Sequence, residues 1–268
     1  MMKGLHMTNY KHTLIKAAGL LASSIFANSA SAAPIGFGVD GDTTSSTLYS
    51  IDFATGTGTA IGGIGAVGFN DVEGISFFGS TLYGIDDSSN SLITIDTATG
   101  VGTSVGGLGV SITNPGFAIS SSGLAIAGDN NDLWTVDLTT GAATSLNSSV
   151  GFDLEGLTFL GEVLFGVDTS EDSLYTINTM TGVATLVGAG GTLTGLSPEA
   201  ALATDGISLF AADDDGDYFK IDPLTGAATI ITTSGTDVEG LTIRVPEPAT
   251  LFGMGLLSLC LVRRKVRS

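Results

Sequence analysis

A repeat of about 42 residues runs through the middle of this chain and leaves few folds open to it. Five turns of one type recur: Thr55-Gly56, Thr99-Gly100, Thr140-Gly141, Thr181-Gly182 and Thr225-Gly226. Their glycines lie 44, 41, 41 and 44 residues apart. Before each turn is an apolar-x-apolar run ending in Asp or Asn, at 48–52, 92–96, 133–137, 174–178 and 218–222. A second β-type run precedes each of those, at 36–40, 82–86, 124–128, 164–168 and 209–213. No stretch of useful length between the two ends has a 3.6-residue apolar period, so helices are not expected there.

Each repeat supplies four strands, A to D. Strand A is a Glu-Gly-apolar run such as 73–77, B and C are the two runs above, and D follows the Thr-Gly turn. The repeat begins on a B strand and ends on a lone A strand at 239–243. Three strands, four sets of four and one more make five blades without remainder. The expected fold is therefore an all-β, five-bladed β-propeller closed by pairing of its N- and C-terminal strands. A β-solenoid is the competing architecture, but its coils usually repeat at about 20–30 residues.

The ends read differently. Residues 1–33 carry Lys3, Lys11 and Lys16 and no acid, then an apolar stretch from Ala17 to Ala27, then Ser29-Ala30-Ser31-Ala32-Ala33. This is the pattern of a secretory signal peptide, with Ala30-x-Ala32 as the cleavage motif. Residues 246–268 begin Pro246-Glu247-Pro248. An uncharged run from Ala249 to Val262 follows, then a basic end with Arg263, Arg264, Lys265 and Arg267. Fourteen helical residues span about 21 Å, short of the roughly 30 Å hydrocarbon core, so snorkelling arginines would have to help a helix cross. The basic end would stay cytoplasmic. Cys260 lies in this run and reads as an inert apolar thiol.

These three parts in this order resemble the PEP-CTERM sorting signal of Gram-negative bacteria. The resemblance covers only the final segment. It implies processing by an exosortase-type enzyme near Pro246-Glu247-Pro248, passage through an inner-membrane intermediate held by the C-terminal helix, and export to the cell surface or extracellular matrix. Exopolysaccharide is the expected partner there.

Residues 34–245 form the expected propeller domain. The whole chain has a formal net charge of −18. The domain is more acidic still, because Lys220 and Arg244 are its only basic residues. Such a surface cannot replace the counterions of nucleic acid. Both histidines, His6 and His12, lie in the leader, so the domain has none. A Ser-His-Asp triad and a His-ligated zinc site are thereby excluded.

The acids cluster where strand A begins. Asp71-Val72-Glu73-Gly74, Asp153-Leu154-Glu155-Gly156 and Asp237-Val238-Glu239-Gly240 share one pattern. Thr113-Asn114-Pro115-Gly116 and Ser197-Pro198-Glu199-Ala200 fill the slot in the other two blades. In a propeller this position opens onto the central channel, on the same side as the B–C turns. Those turns hold most of the other acids, and the C–D side reads as mostly Thr, Ser and Gly. Crowded carboxylates either hold protons or attract a cation. Ca2+ accepts six to eight hard oxygen ligands in irregular geometry. Asp71, Glu73, Asp153, Glu155, Glu199, Asp237 and Glu239 are therefore the candidate metal ligands. The Asp-x-Glu-Gly pattern also resembles one in phytase-like calcium-binding propellers. The alternative is purely structural: Asp caps the loop and Glu meets solvent or a backbone N–H. The run 213–217 looks like half an EF-hand loop but has Leu224 where a bidentate Glu is needed, so it reads as an acidic turn.

The expected function is thus a non-catalytic surface or matrix protein that binds exopolysaccharide or a partner with the help of Ca2+. The competing reading is a Ca2+-dependent propeller hydrolase, phytase-like, lactonase or glycosidase.

Overall fold

In the computed structural model the described residues are 35–41, 44–151, 154–197 and 199–245. The leader, its Ala30 and Ala32, and everything from Pro246 onward lie outside them. So do Asp42 and Asp153. The strands fall in one compact unit, Ala32–Glu247. No helix among the described residues is long and apolar enough to cross a membrane.

Among the described residues twenty strands form five four-stranded antiparallel sheets. The first blade holds β1 (Ile35–Val39), β2 (Leu48–Asp52) and β3 (Thr57–Ala60). The second holds β4 (Val72–Phe78), β5 (Thr81–Asp86), β6 (Ser91–Ile95) and β7 (Gly102–Gly107). The third holds β8 (Gly116–Ile119), β9 (Ala125–Asp129), β10 (Asp132–Val136) and β11 (Ala143–Ser149). The fourth holds β12 (Leu157–Leu160), β13 (Val163–Asp168), β14 (Ser173–Ile177) and β15 (Ala184–Leu186). The fifth holds β16 (Ala201–Thr204), β17 (Leu209–Ala212), β18 (Tyr218–Ile221) and β19 (Ala228–Thr232). The last strand, β20 (Gly240–Arg244), joins the first blade as its innermost strand. Its register runs from Ile35↔Arg244 to Val39↔Gly240. The chain is therefore a five-bladed β-propeller whose two ends share one sheet, which hides the edge each would otherwise expose.

The recurrent residues explain the recurrent shape. At the end of each C strand, the Asp or Asn side chain folds back on the turn. Asp137 Oδ1 accepts from the N–H groups of Thr139 (2.7 Å) and Thr140 (3.1 Å), and Asn178 Oδ1 does the same for Met180 and Thr181. Four residues after that Asp or Asn the glycine must turn left-handed: Gly141 has φ 80° and donates to the Asp137 carbonyl at 2.8 Å. A Cβ there would sit 2.4 Å from the Gly106 carbonyl oxygen, so an Asx turn and a glycine are both required. These contacts hold the exposed Asp96 and Asp137 carboxyls below the usual range, chiefly through backbone N–H donors to Asp96 and the Thr139 hydroxyl to Asp137. Four aspartates, Asp52, Asp96, Asp137 and Asp222, thus belong to the C–D side, which the sequence pattern assigns to Thr, Ser and Gly.

The alternating residues of facing sheets interdigitate between blades. Phe165, Val167 and Leu174 of the fourth blade meet Leu202, Leu209 and Phe219 of the fifth in one buried cluster. Each such side chain contributes about 1.5–3 kcal/mol on burial. Trp134, Phe117 and Tyr218 are buried in these layers too, at 9%, 2% and 0% exposure, so they serve as core and not as sugar platforms.

The innermost strands β20, β4, β8, β12 and β16 contact one another in a ring around the channel. Glycine lets them approach. Ideal Cβ atoms on Gly240, Gly74, Gly116 and Gly156 would lie 2.0, 2.6, 2.6 and 2.6 Å from the carbonyl oxygens of Glu73, Pro115, Glu155 and Ala200. The Gly of Asp-x-Glu-Gly is thus a packing residue of the channel wall.

Candidate functional site

That glycine contact fixes which residues are equivalent around the channel. Glu73, Pro115, Glu155, Ala200 and Glu239 each precede the wall position, so only three blades carry a Glu there. Glu199 lies one residue earlier, level with Asn114. Both Asn114 and Glu199 are left-handed, with φ 50° and 71°. The corresponding Val72, Leu154 and Val238 are fully buried apolar residues. Glu199 still reaches the channel mouth through its left-handed backbone, and its Oε1 accepts from Asn114 Nδ2 across the opening at 3.2 Å. The mouth is a narrow hollow of about 10 Å3 lined by Glu73, Asn114, Glu155, Glu199 and Glu239. Larger hollows occur elsewhere, as between Glu162 and Thr185 and around Thr94, but they are shallow, rich in threonine and hold a single acid each.

The ring of carboxylates expected from the sequence is not symmetrical. Asp71, Glu73 and Glu239 converge: each offers an oxygen, and all three oxygens lie within 4.8 Å of one another. Glu155 turns toward its own blade, where its Oε2 accepts from the Thr169 N–H at 3.3 Å. Glu199 is taken up by Asn114. Asp237 does not join the three, although its charge acts on Glu239. Asp153 lies outside the described residues.

Many of the remaining acids on this side are structural. The Asp that ends strand B ties down the loop leading into strand A. Asp86 accepts from the Asp71 N–H at 3.1 Å, Asp129 from Thr113 at 3.0 Å and Asp213 from Ser197 at 3.0 Å. In the first blade Asp40 instead accepts from the Thr47 N–H and the Tyr49 hydroxyl. Asp168 Oδ1 accepts from Ser170 and Glu171, and its Oδ2 is buried without a partner among the described residues. The residue that would match Asp71 in that blade is 153. The 213–217 run is a closed turn, with Asp217 N–H donating to Asp213 Oδ1 at 2.9 Å and Gly216 N–H to the Asp213 carbonyl at 3.1 Å. Leu224 belongs to the C–D turn that follows β18, where Asp222 Oδ1 accepts from its N–H, and it is 85% exposed. The expected EF-hand mismatch is thus a geometric one as well.

Electrostatics separate the converging acids from the capping ones. Burial pushes the Glu73 carboxyl up to about 9, and the charges of Asp87, Glu239, Asp71 and Glu199 act in the same direction. Burial likewise raises Glu239 to about 7, with Glu199 and Asp237 next in weight. Asp87 rises to about 7 through burial and then its hydrogen bond and charge contact with Asp71, partly offset by the Asn114 N–H. Glu73 is 9% exposed, and its Oε2 has no hydrogen-bond partner among the described residues.

Sequence pattern alone does not mark Asp87 or Gly41 as part of this site. An ideal Cβ on Gly41 would lie 1.5 Å from Glu239 Oε2 and 3.2 Å from Glu73 Cγ. The backbone of the β1–β2 loop therefore packs directly on the Glu239 carboxylate. The available signal is weak: Gly41 is the residue after the strand-B Asp in the one blade completed by both chain ends.

Three comparisons place this geometry. The family described as a repeat of unknown function (DUF6923) matches residues 82–200, which run from β5 to the loop before β16. No curated protein matches in sequence. Among solved structures, a propeller chain in the crystal structure of the nidogen/laminin complex is similar at a TM-score of 0.54 and 14% identity. The similarity covers 80% of this chain and 99% of that one. At that identity the likeness concerns the fold.

Proposed function

We propose that this protein is an exported, non-catalytic surface or matrix propeller that binds a divalent cation, Ca2+, at its acidic channel mouth and engages exopolysaccharide through it. The observation that carries this reading is the convergence of Asp71, Glu73 and Glu239 within 4.8 Å, in a domain whose only basic residues are Lys220 and Arg244. A domain this acidic repels an acidic polysaccharide unless a cation bridges the two. Ca2+ keeps coordination positions free for sugar hydroxyls and carboxylates. Export rests on the sequence pattern of residues 1–33 and 246–268, with an exosortase-type enzyme as the processing partner. The described ends favour display of the mouth, since Ile35 pairs with Arg244 at the end of β20 away from Glu239.

The hydrolase reading fits the cavity less well. The hollow at the mouth holds about 10 Å3, room for roughly one water and far below the roughly 300–1,000 Å3 of most small-molecule sites, and Glu155, which lines it, accepts from the Thr169 N–H.

Co-sedimentation of the purified full chain with a polyuronate tests the proposal. Retention should be about tenfold greater in Ca2+ than in chelator, a difference of about 1.4 kcal/mol. Equal retention in both would remove the cation-dependent binding role.

A further inference from the structure

We infer that Asp71, Glu73 and Glu239 form one discrete divalent-cation site, and that the bound ion locks the closing strand β20 onto β4. This rests on the cation-dependent reading of the mouth and adds where the ion sits and what it does to the fold.

The site spans the ring closure. Glu239 immediately precedes β20, the last strand of the chain. Asp71 and Glu73 flank the start of β4, the innermost strand of the second blade. Strands β20 and β4 are neighbours in the channel wall. Between them stands no hydrogen-bonded ladder, because they belong to different sheets. An ion held from both sides would join the C-terminal strand to a strand far from it in sequence.

The buried carboxylate of Glu73 points to a ligand, and its surroundings leave the place for one. Glu73 is more than nine-tenths buried and aims its carboxylate into this cluster, with no hydrogen-bond donor to its Oε2 among the described residues. An oxygen left so costs about 1–3 kcal/mol or more unless something meets it. No side-chain cation of the domain is in place to do so: Lys220 lies over the Phe210 ring and Arg244 over the Phe77 ring, each at 5.9 Å. The loop backbone at Gly41 leaves no room for a Cβ beside Glu239 Oε2, so the carboxylate is cradled at the cluster.

The chemistry selects a hard ion. Three carboxylates supply three to six oxygens according to how many bind through both, and water completes the six to eight that Ca2+ takes. Mg2+ requires near-ideal octahedral geometry and usually takes only one or two carboxylates while keeping its waters, so three carboxylates from two separate strands suit Ca2+ better. Glu155 and Glu199 are outside the site because Thr169 and Asn114 already occupy their carboxylates.

Titration calorimetry with Ca2+ alone, together with hydrogen exchange of the full chain, tests the inference. One Ca2+ should bind per chain. Asp71→Asn and Glu239→Gln should each weaken it about tenfold or more, and Glu155→Gln by less than about twofold. Amides of β20 should exchange about tenfold more slowly with Ca2+, with those of β13 unchanged. Binding that survives both Asp71→Asn and Glu239→Gln overturns the site. An equal loss in Glu155→Gln overturns it in favour of a ring. Binding without slower exchange in β20 overturns the lock and leaves the polysaccharide reading intact. Protection of β20 with cation-independent polysaccharide retention does the reverse.

Discussion

Exchanging Glu73 for glutamine is expected to flatten the alkaline side of the stability profile of the cation-free protein. An unfolded Glu releases its proton near pH 4.3, whereas Glu73 in the fold is pushed up to about 9. Between those values the native state holds a proton that the unfolded state has lost. The contribution is therefore fully present below about pH 4 and disappears as pH rises through 9. Glu239 and Asp87, each raised to about 7, add to the slope in the lower half of that window. A single group of this kind changes stability by about 1.4 kcal/mol per pH unit. Melts in chelator should thus fall by about 5–10 °C from pH 7 to pH 9 in the wild type. Glutamine keeps the shape, carries no charge and donates an N–H toward its acidic neighbours. Glu73→Gln should be nearly flat over the same interval, and more stable than wild type at pH 9. An unchanged slope in the variant would show that Glu73 is not the buried acid responsible. The same variant should lose the response to Ca2+, so one substitution raises stability without the ion and removes the gain with it.

The second large effect belongs to the closing strand. Leu241 is 3% exposed and packs in a cluster with Ile51, Tyr218, Val238 and Ile243, which joins the first and fifth blades. Leu241→Ala is expected to cost about 2–5 kcal/mol, through lost burial and the cavity left behind. Gly240→Val should cost more, since even a Cβ at this position meets the Glu73 carbonyl oxygen at 2.0 Å. Leu224, 85% exposed in a C–D turn, is the contrast, with Leu224→Ala within about 0.5 kcal/mol of wild type. Chemical denaturation gives all three values. A neutral Leu241→Ala would mean that β20 does not close the ring.

Much of this fold is legible because its local rules repeat. Alternation at 48–52 or 92–96 gives a strand, the Asp that follows gives the cap, and Thr-Gly gives the left-handed turn. The unpaired strand at 239–243 finds its place because the repeat opens with three strands. The site is less legible, because it depends on side-chain direction and on contacts between blades. Glu199 looks equivalent to Glu73 by spacing, yet Ala200 is the residue level with Glu73, and Glu199 lies one residue before it. Glu155 shares its motif with Glu73 and Glu239 and turns instead to a backbone N–H in its own blade. Asp87 reads as another turn acid until Asp71 is seen beside it. Glycine at 74, 156 and 240 reads as part of a ligand motif, whereas its first role is to let neighbouring strands touch. Repetition in sequence therefore predicts the scaffold, and the breaks in repetition decide which acids converge.

Thermal melting of the full chain in Ca2+, in Mg2+, in NaCl of equal ionic strength and in chelator tests the central claim most directly. Any salt screens a surface this acidic, so the NaCl arm sets the baseline. At about a hundred times its dissociation constant, a native-state ligand stabilises by about 2.7 kcal/mol. The account predicts that Ca2+ raises the melting temperature several degrees above the NaCl arm, that Mg2+ does so much less, and that chelator reverses the gain. If all salts act alike, the carboxylates at the channel mouth hold protons instead of a cation, and the proposed binding role loses its basis.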